Sequence, residues 1–226
     1  MKKRIGCLHA HYSNIAYIEQ AFSAYDAELL HFVDPGLVGR VTSDESFSLE
    51  EAQRKVKEQI AWIAQCNVDA ILITCTNYIA LLQEDRLSIN IPIIKIDEPF
   101  FTYICEQEEP QVLLFTNPAT VEGTMKRLEE HAGALGKSPQ VEVQVIEGTF
   151  ELIMQGLKEE YLQVLSGYMH NLLETDKNTT ISVAQLSMVD AARQIEKETN
   201  SSIGNPLETL KSYAERYLQL QKKGDK

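Results

Sequence analysis

The stretch Ala70-Ile71-Leu72-Ile73-Thr74-Cys75-Thr76-Asn77-Tyr78 decides how this chain is read. Four apolar residues without alternation predict a short strand buried on both faces, the pattern of a parallel sheet covered by helices on each side. The run then breaks into hydroxyls, a thiol and an amide, where such a strand leaves its sheet. In open α/β sheets ligands bind at the carboxyl ends of strands, and the next helix presents its positive N-terminus there. Cys75 therefore has two readings: a reactive thiol drawn toward the thiolate by that helix, or a small buried cysteine closing a strand. Composition leaves both open.

On the N-terminal side, Arg4 to Leu8 predicts a strand that breaks into His9-Ala10-His11-Tyr12-Ser13-Asn14. Ile15, Ile18, Ala21 and Phe22 then recur at helical spacing, with Asn14 placed to cap the helix. Glu28 to Val33 predicts a second strand, and Asp34 to Glu45, punctuated by Pro35 and Gly36, a long loop of the kind used as a lid or binding loop. Ser48-Leu49-Glu50-Glu51 is a capping box, and the helix it opens carries Leu49, Ala52, Val56, Ile60 and Ile63 on one face. Beyond Cys75 the pattern gives a helix from about Asn77 to Glu84. A strand over Ile91 to Ile96 follows, ending in Asp97-Glu98-Pro99.

The second half repeats the alternation. Pro110 to Phe115 predicts a strand breaking into Thr116-Asn117-Pro118-Ala119-Thr120, where Asn117 and Pro118 form a cap-and-proline helix start. Gln140 to Ile146 alternates as a more exposed strand does. Thr149 to Glu174 is helical, and Gly156 and Gly167 divide or kink it. Thr179 to Ala184 predicts a strand ending in Gln185-Leu186-Ser187-Met188, and Val189 to Glu198 a helix. Asn205-Pro206 opens a last amphipathic helix with a charged tail.

Three strand ends recur about 110 residues apart. The His9 loop matches the Thr116 loop, Ile71 to Cys75 matches Ile181 to Gln185, and Ile96 to Pro99 matches Ile203 to Pro206. Their shared order points to an internal repeat of βαβ units. The expected fold is thus α/β, two similar Rossmann-like lobes with parallel sheets related by a pseudo-twofold, and an active-site cleft between them. The expected division is residues 1–100 plus 207–226 for the first lobe and 101–206 for the second. Such a cleft would gather His9, His11, Tyr12, Ser13, Asn14, Cys75, Thr76, Asn77 and Glu98 with Thr116, Asn117, Thr120, Gln185, Ser187 and Met188. Hydroxyls, amides and helix N-termini are what a bound carboxylate needs.

Bulk properties narrow the function. A net charge of -12 over 226 residues disfavours nucleic-acid and anionic-membrane surfaces, leaving small molecules and proteins as partners. Cys7, Cys66, Cys75 and Cys105 form no CxxC pair and no histidine-rich metal spacing, so neither a metal site nor a disulfide framework is expected. Cys7, Cys66 and Cys105 read as packing residues. Met1-Lys2-Lys3-Arg4 precedes too short an apolar run for a signal peptide, no run approaches a membrane span, and the expected location is cytoplasmic. No glycine-rich phosphate fingerprint is present, which disfavours a nucleotide cofactor.

On Thr74-Cys75-Thr76-Asn77, Ala184-Gln185-Leu186-Ser187-Met188, Lys95 to Pro99 and Thr116 to Thr120, the chain resembles the aspartate/glutamate racemase superfamily over essentially its whole length. The resemblance implies two α/β lobes, a homodimer, no cofactor or metal, and a small carboxylate or amino acid as substrate. It implies Cα proton transfer by paired cysteines, Cys75 being the first. Ser13, Asn14, Thr76, Asn77, Glu98, Thr116, Asn117, Thr120, Gln185 and Ser187 then become the expected substrate contacts. Gln185 stands where the second cysteine belongs, and an amide has no pKa for proton transfer at neutral pH. His9 or His11 is the candidate second acid or base. The alternatives are a single-cysteine decarboxylase or cis-trans isomerase of the same superfamily, and a protein that only binds a small carboxylate.

Overall fold

The computed structural model describes residues 2–175 and 180–224. The chain forms two compact units, residues 1–98 with 210–226 and residues 99–209. Each contains a four-stranded, wholly parallel sheet. In the first the order is β2-β1-β3-β4, from β1 (Lys3–His9), β2 (Ala27–Val33), β3 (Ala70–Ile73) and β4 (Ile93–Lys95). In the second it is β6-β5-β7-β8, from β5 (Gln111–Phe115), β6 (Val141–Val145), β7 (Thr180–Val183) and β8 (Ile203–Gly204). The two orders are the same, which is the repeat seen at the strand ends. Thr179, read as the first residue of β7, lies outside the described residues, as do Met1 and the last two residues of the charged tail.

β3 is buried as its sequence requires: Ala70, Ile71, Leu72 and Ile73 are all fully enclosed. Its neighbour β1 is sided. Leu8 and Gly6 share one face, and a side chain at Gly6 would run into Ile63 of α3 (Leu49–Ala64), so that helix lies close over this face. Cys7 and His9 point to the other face, beside α1 (Asn14–Phe22). The capping box forms, Ser48 Oγ accepting from the Glu51 amide and the Glu51 carboxylate from the Ser48 amide. Ala52, Val56, Ile60 and Ile63 are buried as expected, whereas Leu49, at the first helical position, is 66% exposed. The C-terminal helix α10 (Pro206–Tyr217) brings the chain back to the first unit, where Tyr25 donates to Glu215 at 2.7 Å.

In the second unit alternation along β5 divides the core. Val112 and Leu114 pack with Ile181, Val183, α8 (Lys158–Thr175) and α9 (Val189–Thr199). Leu113 and Phe115 pack with Phe100, Phe101 and Ile104 of α5 (Asp97–Glu106) and Leu128 of α6 (Val121–Ala134). The long helical region is two helices, α7 (Thr149–Met154) and α8, parted at Gly156, whose φ of +77° suits glycine; Gly167 stays inside α8.

Residues 34–45 depart from the loop reading, because Gly36–Ser43 is helix α2. Asp34 Oδ1 accepts from the Gly36 amide at 2.8 Å and from the Leu37 amide, so Asp-Pro-Gly opens a helix rather than a loop. Among the described residues no helix is long and apolar enough to cross a membrane.

Candidate active site

β3 ends at Ile73, and Thr74 and Cys75 carry the chain to α4 (Thr76–Leu81). Cys75 is half-buried in extended backbone at the helix start, whereas Cys7 lies within β1, Cys66 follows α3 and Cys105 lies in α5. Burial pushes the Cys75 thiol above the ordinary cysteine range; the amides of Tyr78 and Asn77 pull downward, and the Asp97 carboxylate adds to the rise. The expectation of a helix-stabilised thiolate is therefore reversed. The six-residue helix offers two favourable amides, and desolvation outweighs them. Cys75 rests as a thiol. Thr76 is half-buried and Asn77 exposed, and both begin α4.

Thr74 is the polar hub of this strand end. Its Oγ1 lies 2.8 Å from His9 Nδ1, 3.2 Å from Leu8 O and 3.3 Å from Asn14 Nδ2. Asn14 thus ties α1 to β3 and does not cap its helix, which has no side-chain cap bond. His9 is fully buried, and its Nε2 meets His31 Nδ1 at 2.9 Å; His31 Nε2 in turn meets Glu19 Oε1 at 3.0 Å. Burial first, and the neighbouring His31 second, lower the His9 pKa to about 4, so its ring is neutral. His11 is exposed, and its Nδ1 accepts from the Ser13 amide at 3.3 Å and lies 2.8 Å from Ser13 Oγ. Of the two histidines, His11 is the one open to solvent, while both His9 nitrogens are engaged within the protein.

Glu98 and its neighbour Asp97 differ in placement. Glu98 pairs with Lys95 Nζ at 2.5 Å, and Lys95 also holds Glu84. Asp97 is 4% exposed and is the carboxylate that acts on Cys75. Tyr78, also buried, donates to Asp34 O at 2.8 Å and anchors α4 to the start of α2.

In the second unit the equivalent strand end is laced by Gln185. Its Oε1 accepts from the Thr116 amide at 2.8 Å, Thr116 Oγ1 at 2.7 Å and the Asn117 amide at 3.2 Å. Three donors converging on one oxygen form an anion-type nest, filled here by the chain's own amide. Asn117 Oδ1 caps the Ala119 amide and Thr120 Oγ1 donates to Asn117 O, so both side chains make local bonds. Ser187 Oγ lies 2.8 Å from the buried Tyr161 hydroxyl, and Met188 is enclosed in the core.

Thr74, His31, Glu19 and Asp97 were not singled out by sequence. The register that sets His31 opposite Cys7 is invisible without the pairing of β1 and β2, although a histidine inside an otherwise apolar strand was the available signal.

No family model matches the chain, and no curated protein matches it by sequence. Solved structures do match. The aspartate racemase of Picrophilus torridus aligns over 98% of this chain and 96% of its own, with a TM-score of 0.63 at 13% identity. The glutamate racemase isoform RacE1 of Bacillus anthracis aligns over 96% and 82%, with a TM-score of 0.67 at 16% identity. The allantoin racemase of Pseudomonas fluorescens aligns over 99% and 94%, with a TM-score of 0.62 at 15% identity. The chain therefore has the fold of the aspartate/glutamate racemase superfamily.

Proposed function

We propose that the protein is a cofactor-independent enzyme of racemase or isomerase type that moves a proton at the α-carbon of a small carboxylate, with Cys75 as the acid–base group. The observation that carries this reading is the place of Cys75, a half-buried thiol where β3 gives way to the start of α4. A strand end of this kind is where α/β sheets bind ligands. The racemase fold of the whole chain supports it.

To act as base, Cys75 first gives its thiol proton to solvent; the thiolate then takes the Cα proton, and the electron pair passes into the carboxylate-stabilised enolate. In the reverse direction the Cys75 S–H returns a proton to the enolate Cα and becomes a thiolate again. Burial and Asp97 set the resting state as the thiol, so the donor direction is ready without prior ionisation. Thr76 and Asn77, at the start of α4, supply donors suited to a carboxylate.

The raised thiol pKa favours one further reading, a single-thiol decarboxylase. There the Cα–carboxyl bond breaks, carbon dioxide leaves, the electron pair remains on the enolate, and Cys75 protonates it. Incubation in D2O with aspartate, glutamate, hydantoins and substituted malonates separates the two. Loss of the Cα proton signal without carbon dioxide release supports proton transfer alone, and release of carbon dioxide supports decarboxylation. The absence of both events with all of these acids counts against an enzymatic role.

A further inference from the structure

We propose that Cys7, His9 and His31 form a binding site for a divalent transition-metal ion of zinc type, separate from the chemistry assigned to Cys75. One ligand atom from each of the three lies within 4.8 Å of the others. The grouping follows from the sheet. Cys7 and His9 are two apart on β1 and share a face, and His31 on β2 is the register partner of Cys7. Nitrogen and sulfur donors together suit a borderline-soft ion such as Zn2+ better than Mg2+ or Ca2+.

The surrounding hydrogen bonds are those of a metal-ligating pair. A ligating histidine normally gives its other ring N–H to an oxygen that fixes its tautomer. His31 Nε2 meets Glu19 Oε1 at 3.0 Å, and His9 Nδ1 meets Thr74 Oγ1 at 2.8 Å. His9 Nε2 and His31 Nδ1 are thereby left facing one another at 2.9 Å. Two nitrogens bound tetrahedrally at about 2.0–2.1 Å lie roughly 3.3 Å apart, so the rings need to open by about 0.4 Å, and Cys7 Sγ, within 4.8 Å of both, closes to roughly 3.6 Å from each.

The protons balance through Thr74. With both rings neutral, one assignment satisfies all three contacts without the ion: Thr74 O–H donates to His9 Nδ1, His9 Nε2–H to His31 Nδ1, and His31 Nε2–H to Glu19. With the ion on His9 Nε2, His31 Nδ1 and Cys7 Sγ, the His9 proton sits on Nδ1 and is given to Thr74 Oγ1. The Thr74 hydroxyl then turns to Leu8 O, which lies 3.2 Å away. Cys7 loses its thiol proton to solvent, one proton per ion, and a water completes four-fold coordination. β2 is the edge strand of its sheet, and the His31 side chain is 15% exposed, which gives the ion its way in.

The test uses the full-length protein stripped of metal by chelator dialysis and titrated with Co2+, then Zn2+. The expected result is one equivalent of Co2+ giving a thiolate-to-cobalt charge-transfer band and four-coordinate visible bands, with one proton released in weak buffer and displacement by Zn2+. Cys7→Ser removes the charge-transfer band, Glu19→Gln weakens binding roughly 10–100-fold by loosening His31, and Cys75→Ser leaves the spectrum intact. The half-buried His31→Gln variant abolishes the four-coordinate spectrum and serves where Cys7→Ser does not fold. Absence of a charge-transfer band in the wild-type protein overturns the site, as does a band that survives Cys7→Ser or is lost in Cys75→Ser.

Discussion

Gln185→Ala tests whether the anion-type nest of the second unit is a structural element. Gln185 Oε1 accepts from the Thr116 amide, the Thr116 hydroxyl and the Asn117 amide, at 2.8, 2.7 and 3.2 Å. Thr116 is 2% exposed, so its donors are left poorly hydrated when the oxygen is removed. At about 1 kcal/mol net for each bond, truncation costs roughly 2–3 kcal/mol. In a chain of this size that lowers Tm by roughly 5–10 °C. Gln185→Glu is the informative partner, because the isosteric carboxylate meets the same three donors with charge-assisted bonds. Its folded-state pKa falls below the unfolded value of about 4.3. The added stability is therefore present above about pH 4.3 and is lost as pH falls through the folded pKa. Thermal melts of the three proteins at pH 7 and at about pH 3, inside the window in which the carboxylate regains its proton, supply the comparison. A Gln185→Ala Tm within about 1 °C of wild type, or a Gln185→Glu protein as unstable as Gln185→Ala at pH 7, refutes the nest.

Alkylation of Cys75 by iodoacetamide is expected to accelerate with pH and to be still rising at the ordinary cysteine value of 9.0, because burial and Asp97 hold the thiol up; a plateau by about pH 8 contradicts that electrostatic account. Gly204→Ala places a methyl group against Ser182 Oγ and the Tyr103 ring, whose Cζ would lie at 3.1 Å. The overpacking should cost about 1–3 kcal/mol, read as a lower urea midpoint with an unchanged slope. Ser48→Ala removes the cap of α3 and should lower stability by about 1 kcal/mol in the same assay, with Ser48→Asp restoring most of it.

The central strand was legible because a run buried on both faces and a sudden polar break need no knowledge of partners. Helix starts at Ser48, Asn117 and Asn205 were legible for a similar reason: each cap bonds an amide two or three residues away. The two parallel α/β lobes followed once matching strand ends showed the repeat, whereas the strand order within each sheet came from the structure. What stayed hidden depends on side chains finding distant partners. Asp34 turns a Pro-Gly segment into α2 by capping it, and Asn14 leaves its own helix for Thr74, sixty positions on. At Cys75, charge and burial oppose one another, and sequence shows the helix start but not the degree of desolvation. The Cys7, His9 and His31 grouping escaped spacing rules because its third member comes from a neighbouring strand.

The central claim is that Cys75 moves a proton at a substrate α-carbon, and Cα hydrogen–deuterium exchange in D2O, followed by proton NMR for wild type and Cys75→Ser side by side, tests it most directly. The account predicts exchange with at least one small carboxylate and a fall of about 10²–10⁴-fold in Cys75→Ser at unchanged stability. Exchange that proceeds equally well in Cys75→Ser would contradict it.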